Sequence, residues 1–257
     1  MPMQLDVLTL VLLALFGLAG GIGITAVGPG GVLPTIGMFL LTGLSPAGVA
    51  GTAIATHVAT GALGTAAYTS SGQLRDAVTR RTATVLAVAA LVGTPLGVVL
   101  NTLVSGRGFG MLLACAVTVT GVLVWVRERR TRVAGSEPVS VPVTRIASVG
   151  FGVAVVAGLF GLGGPMLSVP LLVVCGLPVL SALAAAQAQS VVIAAIGTIG
   201  YVLHGSVDWG LAALVGVPEL AGVIVGWKIA HAVPARRLKY ALVGTLLALA
   251  PYLAFHS

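Results

Sequence analysis

The sequence predicts an all-α membrane protein: a polytopic helical bundle of two inverted repeats, with about eight to ten transmembrane segments. Three observations lead there. Of 257 residues, 58% are hydrophobic and 7% are charged, whereas a soluble domain carries about 25% charged residues to cover its surface. Apolar runs of roughly 20 residues recur from end to end, each long enough to cross a hydrocarbon core about 30 Å thick. The chain also repeats itself at a fixed spacing.

The repeat is read by setting Gly28-Pro29-Gly30-Gly31 above Gly161-Leu162-Gly163-Gly164, an offset of 133 residues. Held without gaps, the same offset pairs Gly43-Leu44 with Gly176-Leu177, Gly64-Thr65 with Gly197-Thr198, Tyr68 with Tyr201 and Gly72 with Gly205. The shared Tyr at the end of an ungapped run is what glycine-rich composition alone does not produce. Residues 1–127 then form a first transmembrane repeat, 128–144 a basic cytoplasmic linker and 145–257 the second repeat.

Each half divides into five apolar segments: 7–27, 31–43, 47–69, 82–104 and 108–126, then 145–162, 165–177, 180–203, 207–232 and 236–255. The second segment of each half follows its glycine turn directly and reaches only about 20 Å at 1.5 Å per residue. Such a piece is a broken or re-entrant element, tolerated at membrane depth only inside the protein or beside a watery cavity.

Charge sets the orientation. Three loops hold most of the basic residues: Arg75, Arg80 and Arg81; Arg127, Arg129, Arg130, Arg132 and Arg145; and Arg236, Arg237 and Lys239. Cytoplasmic loops collect Lys and Arg, so these face the cytoplasm and both termini face outward. The loop at Arg75 corresponds at the offset to the non-basic turn at Asp208, so equivalent loops face opposite sides and the halves are inverted. Ten crossings satisfy this parity; eight, with each glycine turn inside one broken span, leave the Arg236 loop outside. Inverted repeats are common in secondary transporters, which bind substrate near the midplane between them. Met1 to Val7 holds no Lys or Arg, so the first run reads as a retained helix rather than a cleaved signal.

The net charge of +7 sits in these short loops, which argues for a lipid bilayer and against nucleic acid as the partner. Cys115 and Cys175 lie within apolar runs and read as small core residues, with neither a disulfide nor a metal site. No cofactor is expected.

The glycine turns each followed by a short apolar segment resemble the TauE/SafE family of sulfite and organosulfonate exporters. The resemblance includes the Gly51-Thr52 helix, the exit Tyr201-x-x-x-Gly205-x-Val207-Asp208-Trp209 and Gly222-x-x-x-Gly226 leading to Arg236-Arg237. It spans essentially the whole chain and implies a permease of the cell membrane that moves small sulfur-containing anions, or related carboxylates, usually outward. The chain departs from internal symmetry at Pro29 against Leu162 and at His57 against Ser190.

Candidate residues follow from the need to hold an anion where no cationic side chain is near. A helix that begins after a glycine turn aims unpaired N–H groups and a partial positive charge inward. Gly30, Gly31, Gly163 and Gly164 are therefore expected to line the site, with hydroxyls from Thr35 and Ser168. Thr52, Thr56 and Thr60 form a polar stripe on the third segment, and the second half offers Gln187, Gln189 and Ser190 at the positions of Ile54, Thr56 and His57. Against this stands the habit of helical Ser and Thr of bonding to their own backbone. His57 and Glu219, the latter after Pro218, are the ionisable groups near the middle of a span and are the proton-coupling candidates. No paired acids, His-x-x-x-His or Ser-His-Asp set lies close together, so an enzyme is not expected. The expected function is a secondary transporter of small anions; an anion channel or a structural membrane subunit is the alternative.

Overall fold

The structure, a computed structural model, describes residues 6–130 and 141–232. The tenth predicted segment, the loop at Arg236, most of the linker and the orientation expected of the C-terminus lie outside the described residues.

Side-chain oxygens start several helices. Asp6 accepts the Thr9 N–H at 3.0 Å and opens α1 (Val7–Ala26). A single 3-10 turn, Pro29–Gly31, leads into α2 (Val32–Leu41). Ser45 accepts the Gly48 N–H at 3.1 Å and opens α3 (Pro46–Ser70). Asp76 accepts the backbone N–H of Thr79 at 2.8 Å and its hydroxyl at 2.9 Å, and opens α4 (Ala77–Thr102). Those two bonds, the backbone one foremost, hold the Asp76 carboxyl below the usual carboxylate range. Because of this cap the fourth helix starts five residues before the predicted 82, and Arg80 and Arg81, expected in a loop, lie in its first turns. α5 (Gly106–Arg130), α6 (Val143–Phe160), α7 (Pro165–Val174), α8 (Val179–Leu203) and α9 (Trp209–Ala232) follow. α5 runs on through Arg130 and Arg145 sits in the first turn of α6, so the basic linker is partly helical.

Among the described residues, six helices are long and apolar enough to cross a membrane: α1, α4, Gly106–Leu123 of α5, α6, α8 and α9. The protein is thus an all-α polytopic membrane protein. α3 is as long, at 25 residues, but its threonines and His57 take it out of that set, and of these Thr52, Thr56, Thr60 and His57 are buried in protein. Leu8, Val11 and Leu15 on α1, Val88, Leu91, Val92 and Val99 on α4, and Ile199 and Leu203 on α8 are exposed. In a bilayer these faces meet lipid, so the hydrophobic effect does not drive one helix onto another. Close packing and hydrogen bonds must hold the bundle together.

Glycines supply the close packing. A side-chain carbon at Gly17, Gly21, Gly222 or Gly226 would strike the backbone carbonyls of Val215, Glu219, Leu18 and Ile22 respectively. The matched numbers rise together, so α1 and α9 run parallel. α4 and α6 pack the same way, Gly93 against Phe151 and Gly97 against Val155. α3 and α8 cross antiparallel near their midpoints: Ile54 packs on Gly197, and its offset partner Gln187 packs on Gly64, the offset partner of Gly197.

The 133-residue offset read from the sequence recurs in the helix bounds: both ends of α2 and α7, and both ends of α3 and α8, coincide at it. Gly28 and Gly161 both have positive φ (108° and 71°), as do Gly72 and Gly205 (89° and 64°). The carbonyls at a helix C-terminus lack intrahelical donors, and equivalent tyrosines satisfy them here. Tyr68 donates to the Thr25 carbonyl at 2.6 Å and Tyr201 to the Gly158 carbonyl at 2.7 Å. Phe at either position leaves a carbonyl without its donor. Each change is expected to cost about 1 kcal/mol, measured as a lower unfolding midpoint in detergent with the helix content unchanged.

Candidate functional site

The two glycine turns meet inside the bundle. Gly28 follows the end of α1 and Gly161 the end of α6, each with a positive-φ backbone that an L-residue adopts only with strain. Thr25 shares its hydroxyl proton between the carbonyls of Gly21 (3.1 Å) and Val223 (3.0 Å). Val223 lies nine residues before the end of α9, so the first turn sits about 14 Å short of that end, within the span of its neighbour. α2 then doubles back along α1, Pro34 against Gly20 and Gly37 against Phe16. Gly28 faces the second short helix directly: a side-chain carbon there would stand 2.9 Å from Val169 and 3.0 Å from the Pro165 carbonyl. Neither α2 nor α7 has a side-chain cap.

His57, on the middle of α3, joins these parts. Its Nε2 lies 3.2 Å from the Gly31 carbonyl oxygen. A carbonyl only accepts, so Nε2 carries the proton and the tautomer is set. Its Nδ1 lies 3.0 Å from Glu219 Oε1, with both side chains fully buried. The approach is a close polar contact rather than an aligned hydrogen bond, and among the described residues neither carboxylate oxygen has another donor. With Nε2–H fixed, one proton between Nδ1 and Oε1 makes the contact attractive, either as imidazolium with carboxylate or as imidazole with carboxylic acid. With that proton gone, the Nδ1 lone pair would face a carboxylate. The contact ties the first glycine turn, α3 and α9 together. Pro218 has no N–H for the helix ladder, which loosens α9 beside Glu219.

The second half supplies a different set. Ser190, the offset partner of His57, is fully buried and its hydroxyl has no hydrogen-bond partner among the described residues. A side-chain carbon at Gly163 would stand 3.2 Å from that hydroxyl. The sequence offered Ser190 together with Gln187 and Gln189, at the place opposite His57 in the repeat. Gln187 donates to the Ile24 carbonyl at 3.1 Å, leaving its buried Oε1 unpartnered.

The other expected residues are placed as follows. Gly31, Gly163 and Gly164 lie at the centre, Gly164 beside Ser190 and the Ala186 carbonyl. Gly30 packs on the backbone of Gly23 and Ile24. Thr35 reaches across to the Gly161 carbonyl at 3.4 Å. Ser168 donates to Gln189 Oε1 at 2.5 Å, and Gln189 Nε2 to the Gly150 carbonyl at 3.1 Å, so these two serve each other and α6. Thr56 bonds to the Ala53 carbonyl of its own helix at 2.9 Å, and Thr52 accepts the Asp208 N–H at 3.0 Å, fixing the α8–α9 connection. The centre is therefore narrower than the sequence list: Gly31, His57 and Glu219 on one side, Gly163, Gly164, Gln187 and Ser190 on the other.

An open surface groove of about 620 Å³ runs along the end of α3, lined by Ala62, Thr65, Ala66, Thr69, Ser70, Arg75 and Val191. It joins the level of Arg75 to the chain neighbour of Ser190.

Against known proteins, the chain has no significant match among curated proteins or solved structures. A family profile described as Sulfite exporter TauE/SafE matches residues 12–253, nearly the whole chain. With its apolar spanning helices and two opposed glycine turns, this multi-pass membrane protein belongs to the sulfite exporter TauE/SafE family, a family of transporters rather than enzymes.

Proposed function

We propose that the chain is a secondary transporter of the cell membrane that carries sulfite or another small sulfur-containing anion, with proton coupling through His57 and Glu219. The observation that carries this reading is the buried His57–Glu219 contact seated on the Gly31 carbonyl, beside two glycine turns that open short helices. The turns offer N–H groups and the positive ends of helix dipoles to an anion. Ser190 and Gln187 add buried polar atoms that lack protein partners, which is costly unless a ligand or water meets them. One proton taken up by the pair per cycle changes the charge at the centre by one unit. That is the size of change that offsets an anion entering or leaving.

The antiparallel crossing of α3 and α8, equivalent helices at the repeat offset, supports two inverted repeats with an odd number of passes in each. The parallel run of α4 and α6 brings Arg75, Arg80, Arg81 and Arg145 to one side, the cytoplasmic one by the charge rule. α1 and α9 then both begin outside, with the N-terminus. Alternating access follows if the repeats rock about the α3–α8 crossing. Flux of labelled sulfite, thiosulfate and a small sulfonate into proteoliposomes is the test. Saturable flux, competed by unlabelled anion, is expected; non-saturating flux at diffusive rates would make the protein a channel instead.

A further inference from the structure

We infer that Ile24 is the gate of the anion site, a single side chain wedged between the two glycine turns that must withdraw before an anion enters. The inference rests on the transporter reading and deepens it. A side-chain carbon placed at Gly31 of the first turn would stand 3.0 Å from Ile24 Cδ1, and one placed at Gly163 of the second would stand 3.0 Å from the same atom. One methyl group thus fills the gap between the turns from both sides, with His57 Cε1 3.5 Å from the Gly31 position and Ser190 Oγ 3.2 Å from the Gly163 position. Ile24 is fully buried. With that methyl in place there is no room between the turns for an oxyanion.

The residue is built to move with its surroundings. Ile24 lies in the last turn of α1, where the backbone carbonyls lack helical donors. Its own carbonyl is held by Gln187 of α8 and that of Thr25 by Tyr68 of α3. Withdrawal of Ile24 therefore pulls on α8, and it shifts the adjoining turn whose Gly31 carbonyl holds His57. Admission of the anion and the seating of the proton pair are linked through the short stretch of chain from Ile24 to Gly31. At the repeat offset Ile24 corresponds to Ala157, so one half alone provides the gate. An anion arriving from either side meets the same obstacle.

The test compares wild type, Ile24→Val, Ile24→Leu and Ile24→Ala in proteoliposomes. It reads labelled sulfite flux alongside the number of protons moved per anion, with the detergent unfolding midpoint as a check of folding. Removing the wedge lets the anion pass without waiting for the proton pair. Ile24→Ala is expected to raise proton-independent flux about tenfold and to improve the selectivity for a bulky sulfonate over sulfite by about the same factor. Ile24→Val, which loses only Cδ1, should fall between, and Ile24→Leu should stay near wild type. Slower flux with wild-type proton stoichiometry and wild-type selectivity in both Val and Ala variants would make Ile24 a packing residue and overturn the gate. Absence of saturable sulfite flux in wild type would instead remove the transporter reading for that anion, so the two failures are told apart.

Discussion

Glu219→Gln is expected to separate transport from its driving force. An amide keeps the shape of the carboxyl but neither takes nor gives a proton. Its NH₂ donates to the His57 Nδ1 lone pair, so the pair is locked in the equivalent of its protonated state. Accumulation driven by a pH gradient should then drop at least 100-fold, while exchange of labelled for unlabelled anion at equal pH should persist within a few-fold of wild type. Glu219→Ala is a different experiment, because it leaves His57 facing an emptied apolar space. Losing one member of a buried pair typically costs about 3–5 kcal/mol, so this variant should be poorly folded in detergent where Gln is not. Gradient-driven accumulation by Glu219→Gln at the wild-type level would remove Glu219 from the coupling machinery.

The second large effect concerns the turns, and the two glycines of the second one should behave differently. Gly161 has φ of 71° and a side-chain carbon there would strike the backbone of Ala50, which has no room to yield. Gly161→Ala is expected to abolish the folded protein. Gly163 does not share the left-handed backbone, and the nearest atoms a methyl would meet are the tips of Ile24 and Ser190. Gly163→Ala should therefore fold, with an unfolding midpoint near wild type, while sulfite flux falls at least tenfold. Because the new methyl presses on Ile24 Cδ1, adding Ile24→Val should restore much of the flux. A Gly163→Ala protein with full flux would mean that the turn does no more than pack helices.

Much of the architecture was legible because its cause is periodic. Tyr68 and Tyr201, aligned on paper at an offset of 133 residues, turn out to cap equivalent helix ends at 2.6 and 2.7 Å. The short segments after the glycine turns are ten-residue helices in both halves. Helix starts were less legible, since Asp76 recruits Arg80 and Arg81 into α4 through a local cap that hydropathy does not register. The threonine stripe illustrates another limit. Spacing placed Thr52 and Thr56 on one face, but a hydroxyl has one proton, and here Thr56 spends it on its own helix.

The centre was the hardest part to read. His57 and Glu219 each stood out alone, as ionisable groups in apolar runs. Their pairing spans 162 residues, and the repeat gives no hint of it, because the offset partner of Glu219 is Leu86. Ile24 was invisible for the opposite reason. An isoleucine in an apolar run carries no signal, and only its position between Gly31 and Gly163 gives it meaning.

The measurement that bears most directly on the account is the concentration ratio at which net anion flux stops, determined in proteoliposomes across a series of imposed pH gradients. A sulfonate that stays fully ionised is the substrate, with the membrane potential clamped. If one proton moves with each anion cycle through His57 and Glu219, the balancing ratio shifts about tenfold per pH unit. A balancing ratio that stays at one whatever the pH gradient would contradict proton coupling and leave the central pair a structural contact.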